Sequence, residues 1–343
     1  MKTGTFIGLS VATVVAVAAA VAVTSGRNEY QAPPGAGIKA FPGLIDAINE
    51  VSAISIERAG EKLSIVRYPD RWGEEQRSGY PVRTGAVRKF LLELTQLEQT
   101  DPKTRLKKNH GRLELGDPAE EGAKSKKVAL KDKNGKVLSS LIIGKRMRSL
   151  EGGSGVYIRK PDSDQTWLSR SAITVSLQAA DWLETEIIDI NPKQVRKIVI
   201  RHPDGETLTV SKASATDAHY VIKNLPPKAK LKSEFAADAL ASALDGLKLD
   251  DVAKASAMTF SKDSTVNVKI TTFDGLRVAL DVLKLNGEYW IKMAAAAKDG
   301  SDQAEKAGKL NARAEGWAYR VAAYKTMNLN KRLSDFLKKE KSK

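Results

Sequence analysis

The chain has 343 residues, with 56 Lys+Arg against 41 Asp+Glu, three His, no Cys and a net charge of +15. That length suggests two domains plus small additions, and 42% apolar with 28% charged residues excludes wholesale disorder. The absence of Cys removes disulfides, thiolate nucleophiles, Cys-ligated zinc and a lipoprotein-type lipid anchor, and the scattered His110, His202 and His219 leave little for a metal site.

At the N-terminus, Phe6 to Val23 carries no charge and includes nine residues of the Leu/Ile/Phe/Val type. At their usual insertion energies these supply roughly −3 to −5 kcal/mol, so residues 1–26 are expected to be a transmembrane anchor. Cleavage as a signal peptide after Ala20-Val21-Ala22 is the rival reading. The apolar run exceeds a normal signal core and the n-region holds only Lys2 and the terminal amine, which favours the uncleaved anchor. Long C-terminal domains translocate largely regardless of charge. The expected location is therefore a single pass through the inner membrane, with the bulk of the chain periplasmic or otherwise extracytoplasmic. Gly4, Gly8, Ala12, Ala16 and Ala20 line one face of the span, where another helix can approach closely. Residues 27–40, with Ala32-Pro33-Pro34-Gly35-Ala36-Gly37, read as a linker.

Beyond it the chain repeats its pattern. Val51-x-x-Ile54-x-Ile56, a turn at Gly60 and Leu63-x-Ile65 return as Val195-x-x-Ile198-x-Ile200, Pro203-Asp204-Gly205 and Leu208-x-Val210. Each set predicts a β-hairpin by its alternation. Helical spacing follows in both: Phe90, Leu91, Leu94 and Leu97 within 88–97, then Phe235, Leu240, Leu244 and Leu247 within 233–249. Strands around 128–130 and 137–143, joined by Asn134-Gly135, answer to 266–272 and 276–283, joined by Asp274-Gly275. Gly155-Val156-Tyr157-Ile158 answers to Gly287-Glu288-Tyr289-Trp290, and Trp167, Arg170 and Leu183 recur as Trp317, Arg320 and Leu333. The reading is α+β: two tandem modules, 41–190 and 191–343, each an antiparallel sheet with packed helices. An Ala/Lys/Gly-rich insertion at 294–315 is expected to form a mobile loop or short solvated helix. Each Trp is expected to be buried with its Arg reaching water, ahead of an Arg stacked on the indole.

The N-terminal span, Phe41-Pro42-Gly43-Leu44, Val51-x-x-Ile54-x-Ile56, Gly155-Val156-Tyr157-Ile158-Arg159 and Trp167-Leu168 together resemble bacterial proteins carrying domain of unknown function 4340. The resemblance extends over about residues 40–340. It implies a membrane-anchored envelope protein, some relatives standing beside ATP-binding-cassette transporters, and it brings no catalytic residues.

Motifs for chemistry fail one by one. Gly144-Lys145 is followed by Arg146 and has Ser139 where a phosphate loop needs its first Gly. Gly152-Gly153-Ser154-Gly155 leads into a strand, so it reads as a hairpin loop rather than a dinucleotide loop. There is no Gly-x-Ser-x-Gly and no His-Glu-x-x-His. Adjacent acids such as Glu120-Glu121 and Asp250-Asp251 read as solvated charges, and His110 as a solvated loop side chain. No catalytic, metal or cofactor residues are assigned, and an enzyme of unrecognised type ranks third among the functions.

The positive charge is clustered. Residues 103–148 hold 14 basic and 5 acidic residues, including Lys103, Arg105, Lys107, Lys108, Lys124, Lys126, Lys127, Lys145, Arg146 and Arg148. Residues 331–343 add six basic against two acidic, around an apolar stripe of Leu333, Phe336 and Leu337. Nucleic acid is disfavoured, since aromatics are not interleaved. The leading expectation is a non-enzymatic, membrane-anchored accessory or scaffold subunit of an envelope complex with protein partners. The alternative is a binder of anionic lipid or envelope polymer through loops 103–148.

Overall fold

Alternation of period two is the dominant signal after residue 50, and it yields hairpins. The computed structural model describes residues 36–148, 154–171, 173–223, 225–227 and 229–338. The expected anchor, with Gly4, Gly8, Ala12, Ala16 and Ala20, lies outside them. Among the described residues no helix is long and apolar enough to cross a membrane.

The first sheet contains β1 (Ala53–Arg58), β2 (Glu61–Arg67), β3 (Trp72–Glu74) and β4 (Tyr80–Pro81). After helix α1 (Thr84–Gln96) come β5 (Asp101–Pro102), β6 (Lys126–Lys131), β7 (Val137–Arg148), β8 (Ser154–Arg159) and β9 (Thr166–Ser169). Its order is β4-β3-β2-β1-β6-β7-β8-β9-β5, with every neighbouring pair antiparallel. The β1–β2 turn places Ala59 and Gly60 both at positive φ, the left-handed pair that suits the twist of a two-residue hairpin. The connection between β7 and β8 falls outside the described residues. Arg148 pairs with Ser154 across it, as a hairpin requires.

The second sheet contains β10 (Val195–Arg201), β11 (Thr207–Ser211), β12 (Val221–Ile222), β13 (Asp251–Lys254), β14 (Thr265–Thr272), β15 (Arg277–Leu285), β16 (Glu288–Ala296) and, after helix α2 (Asp302–Ala314), β17 (Trp317–Val321). Its order is β12-β11-β10-β14-β15-β16-β17-β13, again antiparallel throughout. The run β2-β1-β6-β7-β8-β9-β5 thus has the same succession as β11-β10-β14-β15-β16-β17-β13. Two-stranded sheets also take matching places, Ile38–Lys39 with Glu98–Gln99 and Glu186–Ile188 with Leu247–Lys248. The first of these recruits two residues that composition assigns to the linker.

Three expectations need correction. The 233–249 stretch forms only a short 3-10 helix, Asp238–Leu244, and Phe235 is 52% exposed. Asp238 accepts hydrogen bonds from the Tyr220 amide and from His219, which ties that segment to β12. The 294–315 insertion is a packed element: β16 runs to Ala296, and α2 buries Ala307, Leu310 and Ala314. Small residues at that spacing form a core-facing stripe too slight to stand out by hydropathy. His110 is buried, its Nε2 2.9 Å from the Asp164 carbonyl oxygen, because the 3-10 helix Lys107–Leu113 tucks it under the β8–β9 turn.

A continuous apolar core runs from Ile54, Ile56 and Leu94 of the first half to Ile198, Leu244 and Tyr319 of the second. Within the first half Val82 bridges Leu183 and the Arg83 amide donates to the Trp182 carbonyl at 2.8 Å, and the second half packs beside this point. There the Tyr80 ring stands edge-on to Trp317 (5.0 Å) and to Tyr319 (6.2 Å). An ionic chain runs alongside. Arg77 bonds Glu74 (3.0 Å) and Asp251 (2.5 Å), and Arg320 reaches Asp251 (3.8 Å) and Glu288 (2.6 Å).

Candidate functional site: a basic cleft on the first sheet

The 103–148 charge does not form one surface. The fold divides it into three groups.

Lys103, Arg105, Lys107 and Lys108 are exposed beside the turn joining β8 to β9. There the Lys103 amide donates to the Thr166 carbonyl (2.9 Å), Arg105 Nε to Gln165 Oε1 (2.7 Å), and Lys107 lies 3.7 Å from Asp164. Lys127 lies on the other side of β6 from Lys126, in a shallow cavity of about 600 Å³ shared with Phe41, Ser55, Glu57 and Ser140.

Lys124, Lys126 and Arg146 converge with Arg58 around a cleft of about 620 Å³ whose lining also includes Lys145, its Nζ 5.9 Å from the Tyr157 ring centroid, and one carboxylate, Glu114. Arg148 ends the same strand.

Local sequence explains the convergence. Lys126 opens β6 opposite Ile143 of β7. Across β8, Val156 pairs with Arg146 but Ile158 pairs with Ile143, so β7 carries one extra residue. Such a bulge re-aims side chains. Val156 and Ile158 share a face, and so therefore do Arg146 and Ile143, which puts Arg146 on the side that Lys126 occupies. Gly144 sits in the bulge, and a Cβ there would overlap the carbonyl oxygens of Leu113 and Glu114. Glycine is what lets the 107–115 segment close one wall of the cleft.

Lys126 is half-buried, and its Nζ donates to the Val175 carbonyl at 2.5 Å. Burial lowers its pKa, and the nearby charges of Arg58 and Arg146 lower it further, against a smaller opposing effect of Glu61. Arg146 donates to Thr174 Oγ1 (3.1 Å), Lys124 lies 3.8 Å from Glu114, and Arg58 pairs with Glu61 (2.8 Å). Among the described residues, no carboxylate comes within 4.0 Å of Lys126, Lys145 or Arg146. Chemically this is a concave surface with more cation than counter-charge, suited to holding an anion.

Sequence reasoning missed Arg58 and Thr174. Arg58 was within reach, since it continues the inward alternation Ile54, Ile56 on β1. It also missed Arg159, a buried guanidinium that donates to the carbonyls of Leu115 (3.2 Å) and Ser163 (3.2 Å) and fastens the loop behind the cleft.

The two Trp-x-x-Arg motifs begin on β9 and β17. Trp167 and Trp317 are both buried. The cation over Trp317 is Lys254, 3.6 Å from the ring centroid, while Arg320 enters the ionic chain. Arg170 lies 3.7 Å from Asp101. His202 is buried with Nε2 3.2 Å from the Lys331 carbonyl oxygen, and His219 Nδ1 lies 2.7 Å from Asp238. Among the described residues no three His, Asp or Glu side chains gather to hold a metal ion. Of the C-terminal stripe, Phe336 is buried and Leu337 bridges Leu231; residues 339–343 lie outside the described residues.

The model of the family described as domain of unknown function (DUF4340) matches residues 72–267, more than half of the chain, starting in β3 and ending in β14. No curated protein and no solved structure matches the chain.

Proposed function

The chain belongs to the DUF4340 family, and from that premise we propose that it is a non-enzymatic, membrane-anchored accessory subunit of an envelope complex. On this reading residues 6–23 anchor it in the inner membrane and both sheets stand on the extracytoplasmic side. The complex is of the ABC-transporter type. The shared strand succession of the two sheets supports reading the chain as two copies of one module, 41–190 and 191–343, with α2 added to the second.

The observation that carries the proposal is the cleft where Arg58, Lys124, Lys126, Lys145 and Arg146 face a single lining carboxylate. So much positive charge on one concave surface is a contact for an anionic group of a partner. Charged contacts of this kind weaken as salt shortens the Debye length from about 10 Å at 0.1 M to about 3 Å at 1 M. The full-length protein, purified from its native membrane in mild detergent, should bring partner subunits with it at low salt and lose them at high salt. Purification without partners at every salt concentration contradicts a subunit role.

A second reading, direct binding of anionic lipid or envelope polymer, is favoured by the half-buried position of Lys126. A flat acidic protein surface does not reach it, whereas a protruding headgroup does.

A further inference from the structure

The composition of the cleft narrows the anion that it takes. Of its two guanidinium groups, Arg58 already pairs with Glu61, whereas Arg146 has no carboxylate partner among the described residues and offers a planar fork that matches the paired oxygens of phosphate or carboxylate. Lys126 contributes a half-buried ammonium that spends one proton on Val175 and has two left for a ligand. Thr174 adds a hydroxyl that already steadies Arg146.

A carboxylate brings one negative charge and two oxygens, enough for a single fork. A phosphoryl group brings nearly two charges and three terminal oxygens, enough for a fork, an ammonium and a rim lysine together. The mutual repulsion of Lys126 with Arg58 and Arg146 is relieved most by the anion with the denser charge.

We propose that the cleft is a phosphoryl-binding site, with Lys126 and Arg146 as its principal donors and Arg58, Lys124 and Lys145 at its rim. This inference rests on the anion-binding reading of the cleft given above. The phosphoryl group comes from a phosphomonoester lipid headgroup or from free phosphate.

The test is calorimetric titration of the full-length protein in neutral detergent. The titrants are inorganic phosphate, acetate at matched ionic strength, and short-chain phosphatidic acid. Phosphate and phosphatidic acid should bind and acetate should not. Equal affinity for the two phosphates identifies free phosphate as sufficient; much tighter phosphatidic acid identifies the lipid; either supports the site. Arg146→Gln should weaken phosphate binding at least tenfold, and Lys127→Gln, on the other side of the sheet, should leave it unchanged.

Should Arg146→Gln fail to fold, the wild-type chain supplies a second measurement. Phosphate should slow chemical acetylation of Lys126, read by mass spectrometry, while Lys127 reacts at an unchanged rate. Equal binding of acetate and phosphate, or no protection of Lys126, overturns the phosphoryl inference and leaves an anionic contact standing. Failure of the wild-type chain to bind any anion overturns both.

Discussion

Arg146 faces Lys126 because β7 carries one extra residue, and Gly144 in that bulge lets the 107–115 segment pack against the strand. Gly144→Ala forces a methyl group against the Leu113 and Glu114 carbonyls. Overpacking of this kind costs about 1–3 kcal/mol, so urea denaturation should show a loss in that range together with weaker anion binding. Gly135, in a hairpin turn with nothing near its Cβ position, offers no such clash. The ionic chain between the halves gives a second prediction at this scale. Glu74 is 0% exposed, and its Oε1 has no hydrogen-bond partner among the described residues. Arg77→Met leaves that carboxylate without its cation and should cost about 3 kcal/mol, the low end for breaking a buried ion pair, since Arg77 and Asp251 each keep about a quarter of their exposure. Burial alone would raise the Asp251 pKa, but hydrogen bonds from Arg77 and the Val252 amide, with the charges of Arg77 and Arg320, hold it below the usual carboxylate value. Its contribution to stability is therefore full above the unfolded pKa of about 3.9 and is lost as pH falls through the lower folded value. Urea melts across the acid range should show Arg77→Met losing less stability on acidification than the wild type. An equally steep acid limb in both would remove Asp251 from the account.

At the scale of elements, hairpins were legible and packed small-residue helices were not. Ile54 and Ile56 announce a strand because they alternate with polar Ser55 and Glu57, and Ile198-Val199-Ile200 does so as a run of β-branched residues. Helix α2 offers only Ala307, Leu310 and Ala314 as its buried stripe, which hydropathy cannot separate from a solvated Ala/Lys segment. What holds α2 to the sheet is also invisible in a linear pattern. Asn311 accepts from the Ala295 amide (2.7 Å) and donates to the Ala295 carbonyl (2.8 Å), completing the edge of β16 with a side chain. Asn311→Ala removes both bonds and strands two backbone groups of a partly buried edge, at a cost of roughly 2 kcal/mol. Hydrogen exchange should show faster opening of α2 and of the end of β16 in that variant. Unchanged protection there would mean that the apolar stripe alone holds the helix. The cleft was half legible for a related reason. Its lysines stood out as a charge run, but only strand register separates Lys126 from Lys127, and only the bulge unites Arg146 with Lys126.

For the whole molecule, the core passes without a break from one sheet to the other, with Tyr80, Trp317 and Tyr319 at the junction. Halves that share buried surface unfold together. Calorimetry should give a single transition whose calorimetric and van't Hoff enthalpies agree. Two separated transitions would show instead that each sheet is independently stable. The strand succession common to both sheets follows the order in which the apolar hairpin patterns recur along the chain. The junction was not, since Arg77 and Asp251 stand 174 residues apart.

The most direct test of an accessory subunit that meets its partner through the cleft is co-purification with the cleft's charge reversed. Lys145 and Arg146 are exposed, and surface changes cost within about 0.5 kcal/mol each, so Lys145→Glu with Arg146→Glu should melt close to the wild type. The full-length variant, expressed in its native membrane and purified in mild detergent, should lose the partner subunits that the wild-type chain retains at low salt. Retention of the same partners at the same stoichiometry by a correctly folded variant would contradict the account.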